Sequence, residues 1–158
     1  MSNVHPESVR CLNNTRKEWL NQNESQALIS LLQQKYPFLM IDYIISFNSA
    51  VEIEGLKTFS AMDYTGLKKQ ILPLYVLIEI MGQMSEILIR ASFKLDTKKG
   101  ILAAISQLFI TPYDIRIGET LVIKSTLKSI FNGFYQTFVT VTIGELKISE
   151  GFFTHAFK

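Results

Sequence analysis

The spacing of apolar residues changes period along the chain, and each change marks a new element. From Ser25 onward, Leu28, Leu31 and Leu32 recur at i, i+3, i+4 spacing, which predicts a short helix with Ser25 as its cap. Tyr36-Pro37 closes it, because a residue before proline is pushed out of the helical region. FLMIDYIISF (38–47) and VEIEGLKTFS (51–60) then read as strands joined by a turn at Asn48-Ser49. The second alternates, with Val51, Ile53, Gly55 and Lys57 on one face and Glu52, Glu54 and Leu56 on the other. Residues 71–93, ILPLYVLIEIMGQMSEILIRASF, are apolar almost all round and predict a long helix from about 73, with Pro73 suited to its first turn. After a charged break at 96–100, the segments 100–110, 120–130, 134–143 and 146–157 are rich in strand formers. Asn132-Gly133 and Gly144-Glu145 are the hairpin turns between the later ones. Residues 1–24 are polar and Asn-rich with an isolated Trp19, and read as an extension to a single domain over 25–158. A helix too apolar for a surface, beside an antiparallel sheet, predicts an α+β fold in which about six strands wrap around the helix.

That helix carries one polar stripe. At 100° per residue, Glu79, Gln83, Glu86 and Arg90 fall within roughly 60° of one another. An unpaired buried carboxylate is costly, so Glu79 must be paired, protonated or facing a cavity. Two readings follow from spacing alone. Either the stripe meets water along a half-exposed helix, or Glu79 is a general acid or base lining an apolar pocket.

Composition narrows the chemistry. With 158 residues, 47% hydrophobic and 19% charged, the chain is one ordinary globular domain. Sixteen basic against fourteen acidic residues leave +2, too weak a bias to argue for nucleic acid. The lone Cys11 excludes an internal disulfide and a cysteine-based zinc site, and His5 and His155 are too few for a histidine metal centre. No phosphate loop or nucleophile elbow is present, and neither a metal nor a cofactor is expected. His155, on a terminal strand, reads as an ordinary strand residue. The polar N-terminus has no leader-like apolar stretch. The longest apolar run, 71–78, is far shorter than the roughly 20 residues of a membrane span, so a cytoplasmic protein without a membrane partner is expected.

Two segments resemble the hotdog-fold 3-hydroxyacyl-[acyl carrier protein] dehydratases. QKYPFLMID (34–42) is similar to the family's H-R-Y-P-F-L-L-V-D, matching at Tyr36, Pro37, Phe38, Leu39 and Asp42. LPLYVLIEIMGQ (72–83) is similar to M-P-G-V-L-I-L-E-A-M-A-Q, matching at Pro73, Glu79, Met81 and Gln83. Tyr75 and the I-E-x-M-x-Q pattern look most like the divergent dehydratase-like subunits of aryl-polyene biosynthesis. The resemblance implies a hotdog fold and a hydro-lyase site with Glu79 as catalytic carboxylate and Gln83 in support. It also implies that Tyr36, Pro37, Phe38 and Tyr75 border an acyl tunnel at a dimer interface. The family's partner histidine, in a G-H-F-P-G loop eight residues before the helix-opening proline, falls on Thr65 of DYTGLKKQ. Gln34-Lys35 likewise replace His-Arg.

Dehydration needs a base for the C2 proton and an acid for the leaving hydroxyl, and threonine does neither near neutral pH. Asp63 or Tyr64 is a possible substitute. Three readings therefore stand: a dehydratase of fatty-acid or polyene biosynthesis, a non-catalytic subunit of a heterodimeric dehydratase, and a thioesterase-like hydrolase. The implied partners are an acyl thioester on acyl carrier protein and a second hotdog protomer, identical or different. Lys68 and Lys69 before the helix, with Arg90, Lys94, Lys98 and Lys99 at its far end, are candidates for docking the acidic carrier protein. Ordinary helix-end charge is the alternative.

Overall fold

The computed structural model describes residues 19–64 and 72–158, Tyr64 by its backbone alone. Helix α1 (Gln22–Ile29) precedes a hairpin of β1 (Tyr43–Asn48) and β2 (Glu52–Thr58), and a 3-10 turn (Ala61–Tyr64) follows. Helix α2 (Leu74–Phe93) leads to β3 (Gly100–Ile110), β4 (Thr120–Phe131), β5 (Phe134–Ile143) and β6 (Leu146–Phe157). All pairings are antiparallel, in the order β1-β2-β4-β5-β6-β3. The strand that follows α2 is thus carried to the far edge of the sheet, and β4 returns to pair with β2.

The inward phase of each strand fills the space against α2. Ile53, Leu121, Ile123, Val139, Val141, Ile148 and Phe153 pack on Leu77, Ile80, Met81, Met84, Ile87 and Leu88. From Ile80 to Arg90 every residue of α2 is buried, which explains why the helix is apolar nearly all round. Gly55 of β2 leaves no room for a side chain, since a Cβ would lie 2.7 Å from the Tyr43 carbonyl oxygen of β1 and 2.5 Å from Met84 Cε of α2. At the β4–β5 hairpin, Asn132 and Gly133 both have positive φ (49° and 78°), as a tight turn of the expected kind requires.

Local details differ from the pattern-based expectation. Asn21, not Ser25, caps α1, sharing a reciprocal capping box with Glu24. Ser25 lies inside the helix, where its hydroxyl accepts the Ile44 N–H at 2.7 Å. The helix stops at Ile29, so Leu31 and Leu32 follow it in a turn, although Leu32 still reaches the core. The folded unit also starts before residue 25, because the Leu20 N–H donates to the Ile45 carbonyl and Leu20 packs on the core. Pro73 is the N-cap of α2 rather than part of its first turn. Residues 38–42 lie outside the β1–β2 ladder, which begins at Tyr43, and Phe38 closes a turn in which its N–H donates to the Lys35 carbonyl at 2.8 Å.

Candidate active site

Residues 38–40 stay out of the sheet because α2 claims their backbone groups. The Gln83 amide donates to the Phe38 carbonyl at 2.6 Å and accepts the Met40 N–H at 2.8 Å. The same Nε2 donates to Glu79 Oε1 at 2.8 Å, one helical turn back. Gln83 is 1% exposed and each half of its amide is occupied, so its rotamer is fixed from both sides. It therefore fixes one oxygen of Glu79, a half-buried residue whose carboxylate retains further acceptor capacity. One Glu79 oxygen is thus held in place, but Glu79 is not among the residues that line the described clefts.

The other half of the stripe is structural. Glu86 Oε1 accepts from Arg90 Nε and pairs with Nη2, each at 2.7 Å. Arg90 Nη1 donates to the carbonyls of Leu95 and Lys98 at 2.6 and 2.7 Å, and its guanidinium lies 5.1 Å from the centre of the Phe157 ring. Neither simple reading of the stripe holds throughout, since three of its four members are buried. Nor does the docking role proposed for Arg90 survive, because at 1% exposure it offers no surface charge. Lys94 is exposed, at the C-cap of α2. A 20-residue helix is about 30 Å long, so Lys94 is far from the Glu79 end. Lys68, Lys69 and Thr65 lie outside the described residues.

Beside the first turn of α2 is a cleft of about 560 Å³, walled by Tyr36, Pro37, Met40 and Val76 on one side and by Lys57, Ser60 and Asp63 on the other. Phe38 and Tyr75, each 67% exposed, are not among its walls. Asp63 is already committed. Its Oδ1 lies 3.1 Å from Lys57 Nζ, and its Oδ2 accepts the N–H and O–H of Ser60 at 2.7 and 2.8 Å. Burial alone would raise its pKa, but the Ser60 hydrogen bonds and Lys57 outweigh that and hold it below the usual aspartate value. It is a fixed anion, poorly suited to replace a histidine. Among the described residues, no group of three or more His, Cys, Asp or Glu could hold a metal ion. Nor is any described helix long and apolar enough to cross a membrane.

No family model matches the chain. It is 26% identical over 131 residues to the 3-hydroxyacyl-[acyl-carrier-protein] dehydratase FabZ of Wolbachia pipientis wMel, an alignment covering 78% of this chain and 88% of that one. Its fold matches the dehydratase heterocomplex ApeI:P from Xenorhabdus doucetiae with a TM-score of 0.67 at 16% identity, over 83% of this chain and 90% of that one. Zebrafish thioesterase superfamily member 2 gives 0.66 at 14% identity, over 85% and 96%. The chain has the hotdog fold.

Within this hotdog protein the one described histidine stands apart from Glu79. His155 Nδ1 is 3.1 Å from Ser85 Oγ, which is 2.7 Å from Thr137 Oγ1. Ser85 projects roughly 120° around α2 from Glu79, toward the sheet. Desolvation first, and then the nearby Arg90 charge, lower the His155 pKa to about 4. It is a neutral, buried member of a polar network rather than an ordinary strand residue. Lys57 carries a signal legible in the sequence, a lysine in the buried phase of an alternating strand. The Ser85–His155–Thr137 network carries none, because those residues are brought together only across the sheet.

Proposed function

We propose that the chain is one protomer of a hotdog dehydratase dimer acting on 3-hydroxyacyl thioesters held by acyl carrier protein. Glu79 is the acid–base carboxylate and Gln83 its anchor. The observation that carries the reading is the Gln83 amide, saturated by Phe38 and Met40, holding a half-buried Glu79 on the helix of a hotdog fold. Elimination breaks the C2–H and C3–O bonds, forms the C2–C3 double bond and releases water, so it needs a proton acceptor and a proton donor together. Glu79 supplies one of these. Thr65, at the position of the family's histidine, supplies neither, which favours a partner protomer that completes the site. The fold likeness to a dehydratase heterocomplex supports the same view.

The partner's docking edge is β3. This 11-residue strand ends the sheet with Ile101, Leu102, Ile105 and Phe109 exposed, an apolar free edge of the kind that proteins cover. The substrate on this reading is a fatty or polyene acyl chain, the latter suggested by Tyr75 and the I-E-x-M-x-Q pattern. The test is dehydration of a 3-hydroxyacyl carrier-protein substrate by wild type and Glu79→Gln, each alone and with a second hotdog protomer. Turnover in isolation that Glu79→Gln abolishes identifies a self-sufficient enzyme. Turnover only in the complex, unaffected by Glu79→Gln, identifies a supporting subunit. Thioester hydrolysis without dehydration would replace both with the thioesterase-like reading.

A further inference from the structure

Strand β2 puts a charge where its alternation calls for an apolar side chain. Lys57 shares the buried phase with Ile53 and Gly55, and its side chain is 8% exposed. Its ammonium lies 3.3 Å from Asp42 Oδ1 and 3.1 Å from Asp63 Oδ1, and 5.5 Å from the centre of the buried Phe59 ring. Both carboxylates have further backbone anchors. Asp42 Oδ2 accepts the Thr58 N–H at 2.7 Å, and Asp63 Oδ2 accepts the Ser60 N–H at 2.7 Å. One ammonium thereby joins three segments: the end of the stretch 36–42, strand β2 and the 3-10 turn.

The lysine is buried but the Asp42 and Asp63 side chains are 44% and 22% exposed, and ion pairs reaching solvent in this way add little stability. What the cluster does fix is position. The stretch ending at Asp42 is the one whose Phe38 carbonyl and Met40 N–H grip Gln83, and Gln83 in turn holds Glu79. We infer that Lys57 is a positioning residue for the Glu79 site: by clamping Asp42 against β2 and the 3-10 turn, it keeps residues 38–40 in register with the Gln83 amide. Lys57 acts through this chain of contacts and takes no part in proton transfer. The inference rests on Glu79 being the acid–base group, as proposed above.

The experiment compares wild type, Lys57→Met and Lys57→Arg in the full chain, with its partner protomer if turnover requires one. Hydrogen exchange is followed at the Met40 amide and at the β4–β5 ladder amides, and kcat and KM are measured alongside. In Lys57→Met, Met40 should exchange about tenfold faster relative to the ladder, and kcat should fall about tenfold with KM little changed. Lys57→Arg, which can still span both carboxylates, should restore most of both. Equal acceleration at Met40 and the ladder would reduce Lys57 to a stability element and overturn the inference. So would an unchanged Met40, or a loosened Met40 with undiminished kcat. If no assembly turns over substrate even with wild type, the dehydratase reading fails, while Met40 exchange still decides whether the clamp exists. Should Lys57→Met fail to fold, Asp63→Asn carries the same comparison.

Discussion

Replacing Gln83 by methionine tests the centre of the site directly. The two side chains are similar in volume, so the change removes polarity with little cavity. Three hydrogen bonds vanish, at 2.6, 2.8 and 2.8 Å, and the Phe38 carbonyl and Met40 N–H lose their partners. A stranded buried group costs about 1–3 kcal/mol, and these are partly buried, so about 1 kcal/mol each is appropriate. Glu79 is half-exposed and recovers water, so its lost bond adds little. The expected destabilisation is about 2 kcal/mol, read as a lower urea midpoint with an unchanged m value. Gln83→Glu is the sharper variant. It keeps an acceptor for Met40 but sets a second carboxylate at the 2.8 Å contact with Glu79 and turns an acceptor toward Phe38. Its stability should be lower still at neutral pH and should recover relative to Gln83→Met as acid protonates one carboxyl, which can then donate. A Gln83→Met loss below about 0.5 kcal/mol, at wild-type m, would refute the reasoning that this amide carries the segment.

His155 gives a pH prediction with a definite sign. Its pKa is about 4 in the fold against the ordinary 6.5, so between those values the unfolded chain binds a proton that the folded chain does not. Stability from this group is fully present above about pH 6.5 and is lost toward pH 4, by up to about 3 kcal/mol. His155→Gln should remove that part of the slope in urea titrations, and an unchanged slope would show the histidine to be uninvolved. If β3 is the proposed dimer edge, Ile105→Lys together with Phe109→Lys should shift light-scattering mass toward the 18.0 kDa monomer by setting like charges along that edge. An unmoved dimer would place the interface elsewhere. Gly55→Ala brings a Cβ to 2.7 Å from the fixed Tyr43 carbonyl, a clash that costs about 1–3 kcal/mol in thermal or urea unfolding. A wild-type midpoint would mean that the β1 backbone at Tyr43 can give way at no cost.

Much of the fold is present in the local pattern. β3, β5 and β6 coincide with the segments read from strand formers and turns, and α2 with the apolar run after Pro73, because side-chain period and turn chemistry are properties of neighbouring residues. The pairing of β2 with β4 and of β6 with β3 is not written in any local stretch. It emerges when the helix crosses the sheet and sends β3 to the far edge. The same division runs through the site. Spacing alone placed Glu79, Gln83, Glu86 and Arg90 on one stripe of α2. Only the packed structure separates them, with Gln83 turned to the backbone of residues 38–40 and Arg90 closed onto Glu86 and the carbonyls beyond the helix. Equal angles on a helix do not mean equal surroundings, because what faces each residue comes from distant parts of the chain. Lys57 shows the converse. Its place in the buried phase of β2 was readable from the alternation, but the two carboxylates that make the burial tolerable, from before β1 and after β2, meet it only when the chain is folded.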